Sequence, residues 1–117
     1  MISFSSSQRY FLFCTHTDMR KSFDGLCGLV TDAMNQNSTS GDVFIFINNP
    51  RNRMKLLVWD RSGYVIYYKR LEQGTFEIPS ANDDRSGVEI RWEELVLILE
   101  GISLDSVRRR KRFSKSA

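Results

Sequence analysis

Two sets of side chains in this sequence could do chemistry: a Cys–His pair with carboxylates close by, and a group of arginines and lysines interleaved with aromatics. Cys14 and His16 stand two apart, and Asp18 and Asp24 follow. Such a pair can form a nucleophile or part of a metal site. A structural zinc, however, needs four ligands, and the chain holds one histidine and two cysteines. The expectation is therefore a buried Cys14 acting as a small hydrophobe and an exposed His16 in a turn. Asp18, Asp24 and Asp32 do not stack on one face of a helix with its period of about 3.6 residues, so they do not read as a carboxylate cluster. Asp18 suits a helix start and Asp60 a turn. No phosphate loop, nucleophile elbow or dinucleotide fingerprint occurs, and no catalytic residue, metal site or cofactor is assigned.

The basic residues say more. A two-residue loop at Arg61-Ser62 would set Asp60 opposite Gly63, Trp59 opposite Tyr64, Leu57 opposite Ile66, Lys55 opposite Tyr68 and Arg53 opposite Arg70. Aromatic and apolar pairs then crowd the turn end. Arg53, Lys55 and Arg70 crowd the other, with Arg51 just beyond. Like charges facing each other across a sheet are unfavourable unless an anion or acid lies between them. A nucleic-acid phosphate would serve, with Tyr67 or Tyr68 stacking or hydrogen-bonding. An ordinary solvated sheet end, partly neutralised by Glu72 or Asp42, would serve equally well. A second basic run, Arg108, Arg109, Arg110, Lys111 and Arg112, could bind nucleic acid through phosphates alone; it also resembles a nuclear localisation signal in composition, and could be a plain solubilising end.

The elements that must position these groups are legible in outline. Residues 43–70, VFIFINNPRNRMKLLVWDRSGYVIYYKR, form three short apolar runs: Val43 to Ile47, Met54 to Trp59 and Tyr64 to Tyr68. Asn48-Asn49-Pro50 and Asp60-Arg61-Ser62-Gly63 separate them. Breaks this short favour antiparallel hairpins. QRYFLFC, residues 8–14, reads as a further strand able to pair with this meander. Thr17-Asp18 reads as the start of a helix of about four turns whose inward stripe is Phe23, Leu26, Cys27, Val30 and Met34. Gly25 and Gly28 lie inside it, consistent with close backbone packing on the sheet. A short strand through Phe76 and Ile78 ends at Pro79, a loop runs from Ser80 to Gly87, and a second helix spans about Arg91 to Glu100 with Trp92, Leu95, Val96 and Leu99 inward and Gly101 as its stop. The expected fold class is α+β: a small antiparallel β-meander sheet of four to five strands, with one longer and one shorter helix on one face.

Bulk properties bound the rest. At 117 residues the chain makes one domain, read here as residues 1–105, followed by a basic disordered tail, 106–117. The net charge of +3 conceals an asymmetry: six of the 17 basic residues follow Asp105, leaving 11 basic against 14 acidic in residues 1–105. No apolar run approaches the roughly 20 residues a membrane helix needs. The N-terminus makes a poor signal peptide, and two cysteines fit a reducing cytoplasm.

The blocks TDMRKSFDGLCGLV (17–30), GDVFIFINNPRNRMKLLVWDRSGYVIYYKRLEQGTF (41–76) and LILEGI (97–102) resemble one family: the TnpB-type accessory proteins encoded by the second open reading frame of the bacterial insertion sequences numbered sixty-six. The resemblance covers Ser5 to Ile102. It implies a role in DNA transposition beside a separate transposase, which supplies the catalytic acids, and a second small accessory protein. Matched positions are Thr17, Asp18, Met19, Arg20, Lys21, Phe23, Asp24 and Gly25, then Arg53, Lys55, Trp59, Asp60, Gly63, Tyr68, Lys69, Arg70, Leu71, Glu72 and Gly74. Ser22, Val58 and Ile78 depart from the family's glycine and two tryptophans, which weakens any stacking role there.

Together these readings give a non-catalytic accessory protein that binds the insertion-sequence ends, the transposase, or both. The candidate DNA contacts are Arg20, Lys21, Arg51, Arg53, Lys55, Lys69, Arg70 and the Arg108–Arg112 run, with Trp59 and Tyr68 for stacking or partner contact. Should the helix start lie over the basic sheet end, its N–H groups would join the same anion-binding surface. The competing arrangement is an internal ion-pair set in which Asp18 or Asp24 holds Arg53 or Arg70. A pure protein adaptor without DNA contact is the alternative function.

Overall fold

The computed structural model describes residues 4–78 and 87–100. Five strands form one sheet: β1 (Tyr10–Phe13), β2 (Val43–Ile47), β3 (Arg53–Asp60), β4 (Gly63–Arg70) and β5 (Gly87–Ile90), in the order β4-β3-β2-β1-β5. The β3–β4 pairing runs from Asp60↔Gly63 through Trp59↔Tyr64 and Lys55↔Tyr68 to Arg53↔Arg70, the register expected of a two-residue loop. Arg61 takes a left-handed φ of 58° in that loop, as the tight turn demands. β1 runs parallel to β2 and antiparallel to β5, so the β1-to-β2 connection is a crossover carrying the first helix.

Alternation along the strands divides the core in two. Tyr10, Leu12, Val43, Ile45, Met54, Leu56 and Ile90 face one side, where Leu95 and Ile98 of α2 (Trp92–Leu99) and the buried Phe76 cover them. Phe11, Phe13, Phe44, Phe46 and Leu57 face the other, under Leu26, Val30 and Met34. The helices therefore cover opposite faces rather than one. The five fully apolar, fully buried residues of β2, VFIFI, are the sequence's own mark of a strand covered on both sides.

The first helix differs from expectation at both ends. It begins at Phe23, as α1 (Phe23–Gly28), and widens into a π-helical segment over Leu29–Ala33. The Met34 N–H there reaches back five residues to the Leu29 carbonyl, 3.0 Å. Within it the Thr31 hydroxyl donates to the Cys27 carbonyl, 3.0 Å, competing with the backbone ladder. Asp18 does not open the helix. Its carboxylate accepts the Arg20 N–H, 2.9 Å, and its carbonyl accepts the Lys21 N–H, closing a separate turn. Phe23 is 45% exposed and faces outward, not into the stripe. A Cβ on Gly25 would meet the Lys21 side chain, and one on Gly28 would meet open space, so neither glycine marks close packing on the sheet.

The C-terminal half holds two further corrections. Phe76 and Ile78 form no strand. Instead the Phe76 N–H donates to the Arg51 carbonyl, 2.7 Å, which folds this segment back beneath the 48–52 turn. The fifth strand is β5, in a stretch read as loop and helix approach. In α2 the buried residues are Leu95 and Ile98, with Trp92 and Leu99 packed partly against them; Ile98 takes the place given to Val96. The Glu94 carboxylate accepts the Arg91 N–H, 3.1 Å, and caps the start. Pro79, the 80–86 loop, the Gly101 stop, the boundary at 105 and the tail lie outside the described residues.

Candidate nucleic-acid interface

At the end of the β3–β4 hairpin away from its turn, Arg53 and Arg70 sit directly opposite each other. Arg70 is engaged by Glu72, with its Nε and Nη2 donating to one carboxylate oxygen at 3.0 and 2.7 Å. Both side chains are more than half exposed, so this pair contributes little to stability. Arg53 meets no carboxylate among the described residues. Its Nη1 donates to the Tyr68 hydroxyl, 3.3 Å.

Lys55 lies beneath. It is 7% exposed, and its ammonium donates to the carbonyls of Met19 and Lys21 at 2.7 and 2.8 Å while resting 4.7 Å from the Tyr68 ring centre. In an uninterrupted helix those carbonyls would accept N–H groups four residues on. Lys55 takes them instead, which explains the late start of α1. The loop before α1 does lie over the sheet end, as the anion-surface reading required, but it turns carbonyl oxygens toward it and not N–H groups. Lys55 thus tethers the loop before α1 to the sheet from inside the fold.

The remaining candidates separate cleanly. Arg20 pairs with Asp18 through Nε at 3.1 and 3.0 Å and Nη2 at 2.7 Å. Hydrogen bonds from the Arg20 side chain and backbone hold the Asp18 carboxyl down at about 2, and the same partnership raises the guanidinium. The internal ion pairs therefore exist, but Asp18 holds Arg20, and neither Asp18 nor Asp24 holds Arg53 or Arg70. Asp42 lies 3.6 Å from Arg9 and does not serve the sheet end. Lys69 projects to the opposite face, where its ammonium donates to the Leu99 carbonyl, 2.8 Å, at the end of α2. Trp59 belongs to the turn end, edge-on to Tyr64 at 4.9 Å. That is six positions, about 20 Å at a strand's rise per residue, from Arg53. The 108–112 run is outside the described residues.

An open groove of about 580 Å³ lies beside Arg53 and Tyr68, walled by the His16–Arg20 loop and the 48–52 turn. A smaller concavity of about 190 Å³ lies between Arg53, Tyr68 and Arg70. Arg53 and Tyr68 form the ridge between them. The turn is rigid: the Asn48 carbonyl oxygen of the side chain accepts the N–H groups of Asn52 and Arg53, each at 3.0 Å, its amide donates to Asn52, and Arg51 takes a φ of 60°. Sequence reasoning missed this Asn-lined wall; the doubled asparagine before proline was its signal, read only as a break. Thr17, read as part of a helix start, lies instead against the sheet. The Thr17 N–H extends the ladder to the Ile47 carbonyl, 2.8 Å, but its hydroxyl is buried with no hydrogen-bond partner among the described residues. His16 is exposed and Cys14 half-buried. No three His, Cys, Asp or Glu side chains come together as a metal site among the described residues, and no described helix is long and apolar enough to cross a membrane.

Fold and site define a small α+β protein with an arginine–tyrosine ridge at one sheet end and nothing that resembles a built catalytic centre among the described residues. The family described as IS66 Orf2 like protein matches residues 8–109, and the chain belongs to that family. It is an insertion-sequence transposition accessory protein. Two proteins of Sinorhizobium fredii are similar over most of their length. Uncharacterized protein y4jC is 31% identical across all of both chains, and Uncharacterized protein y4hO is 29% identical across 87% of each. No solved structure matches.

Proposed function

We propose that the protein is a non-catalytic transposition factor that binds DNA of its element through the Arg53–Tyr68–Arg70 end of the sheet. One observation carries this reading: two arginines are held face to face at an exposed strand end, and one of them has no acidic partner among the described residues. That arrangement is costly alone and favourable around a phosphate. Lys55 and Lys69 are committed to carbonyl oxygens, Arg20 to Asp18 and Arg70 to the exposed Glu72, which leaves Arg53, Arg51 and Lys21 without a carboxylate partner among the described residues.

The adaptor reading has its own support. β4 is an edge strand of eight residues on which Tyr67 and Tyr68 are 39% and 48% exposed, a surface suited to a transposase or to the second accessory protein. A mobility-shift titration over a salt series separates the two, with element-end and scrambled duplexes. Full-length protein is compared with an Arg53→Ala/Arg70→Ala variant and a variant carrying serines at 108–112. DNA binding through the ridge predicts that the double variant loses most affinity and that its salt slope falls by about two. Binding that disappears only with the 108–112 substitutions overturns that reading and favours the adaptor.

A further inference from the structure

We propose that the ridge receives unpaired nucleotides in preference to duplex: one base stacks on Tyr68, a neighbouring base edge enters the Asn-lined groove, and the intervening phosphate sits between Arg53 and Arg70. The inference rests on the DNA-binding reading above and specifies its ligand.

Three features point the same way. First, Tyr68 is 48% exposed yet fixed in place, with its hydroxyl accepting from Arg53 and its ring supported by the buried Lys55 ammonium. An exposed aromatic held from beneath and flanked by guanidinium groups is a sequence-tolerant platform for a base. Second, the surface is concave on both sides of that ring, about 580 and 190 Å³. A duplex is read by an element that protrudes into a groove. Here the 16–20 loop and the 48–52 turn stand up as walls around a recess, a shape that admits a base taken out of its stack. Third, the larger groove offers edge-reading groups. Asn49 and His16 line it and make no hydrogen bond among the described residues, whereas Asn48 and Asn52 are occupied in building the turn. Arg53 and Arg70 face each other across adjacent strands, and a phosphate between them would draw the Arg70 guanidinium from its exposed pair with Glu72.

The test uses full-length protein, a mixed-sequence 20-nucleotide single strand with 2-aminopurine at its centre, and the duplex of that strand with its complement. Wild type, Tyr68→Phe, Tyr68→Leu and Arg53→Ala/Arg70→Ala are compared, with a thermal melt for each to establish folding. The expected result is at least a tenfold preference for the single strand with a change in 2-aminopurine fluorescence on binding. Tyr68→Phe should keep that preference. Tyr68→Leu, which keeps bulk over Lys55 but has no ring, should lose roughly tenfold in single-strand affinity, the scale of one base–aromatic stack. Equal affinity for the two forms, both lost in the arginine double variant, overturns the inference and leaves the DNA-binding reading standing. A single-strand preference that is the same in Tyr68→Leu and Tyr68→Phe overturns the stacking role. Binding to neither form removes both readings.

Discussion

The two ends of the β3–β4 hairpin are built from the same pair of strands in one unbroken register, and they behave differently. At the turn end Trp59 and Tyr64 pack edge-to-face and Asp60 faces Gly63, so the groups satisfy one another. At the open end Arg53 faces Arg70, and the strand pairing alone satisfies neither. Within that open end the lysines and arginines also part company. Lys55 and Lys69 point to opposite faces and each reaches carbonyl oxygens of a distant element. A compact ammonium with three donors suits that task; a planar guanidinium suits a phosphate or carboxylate at the surface. Positive charge in a strand is therefore no guide by itself to a ligand. What distinguishes the two uses is where the carbonyls of the rest of the fold lie.

The comparison can be broken by substitution. The largest effect is expected from Lys55→Ala, which leaves the Met19 and Lys21 carbonyls without their donor and Tyr68 without its support. We predict a loss of about 2 kcal/mol in a urea melt, whereas Arg53→Ala stays within about 0.5 kcal/mol of wild type. Equal losses in the two would erase the distinction between tether and ligand contact. Next comes Trp59→Ala, expected to cost about 1–2 kcal/mol from lost packing while leaving DNA affinity unchanged; a drop in affinity would move the interface to the turn end. Thr17→Val replaces a buried hydroxyl that has no partner with a methyl group. It should stabilise the fold by about 1 kcal/mol, and a destabilised variant would show that the hydroxyl is bonded in solution. The smallest effect is electrostatic. The Asp18 carboxyl, held at about 2 by Arg20, should return toward its ordinary 3.8 in Arg20→Ala, as read by carbon-13 titration. Because the folded value is the lower one, whatever the pair contributes is present above the ordinary carboxylate range and fades as pH falls through about 2. Solvent screening of this exposed pair makes that contribution slight.

How much of this was legible in the sequence follows from the range of the interactions. The hairpin register was readable because a two-residue loop and alternating side chains fix it locally, and with it the meeting of Arg53 and Arg70. The meander and α2 were readable for the same reason. The late start of α1 was not, since Thr17-Asp18 is a good local helix signal and is overruled by Lys55 from across the fold. β5 was missed because GVEI is short and pairs with β1 at the other end of the domain. The placement of a helix on each face was written in VFIFI, a run with no polar side. The groove was not legible at all, because it lies between two turns brought together by β1 and β2 lying side by side.

The pairing of β1 with β5 has a kinetic consequence. Closing β3 on β4 orders two turn residues, while β1 must wait for β5 from the far end of the chain, and loop-closure entropy makes such long-range pairing late. We predict that substitutions at the Asp60–Gly63 turn slow folding and that substitutions in β5 chiefly hasten unfolding, in stopped-flow chevrons. The arginine ridge would then take shape on an early hairpin, and a chain still emerging from the ribosome would carry that ridge before its sheet is complete.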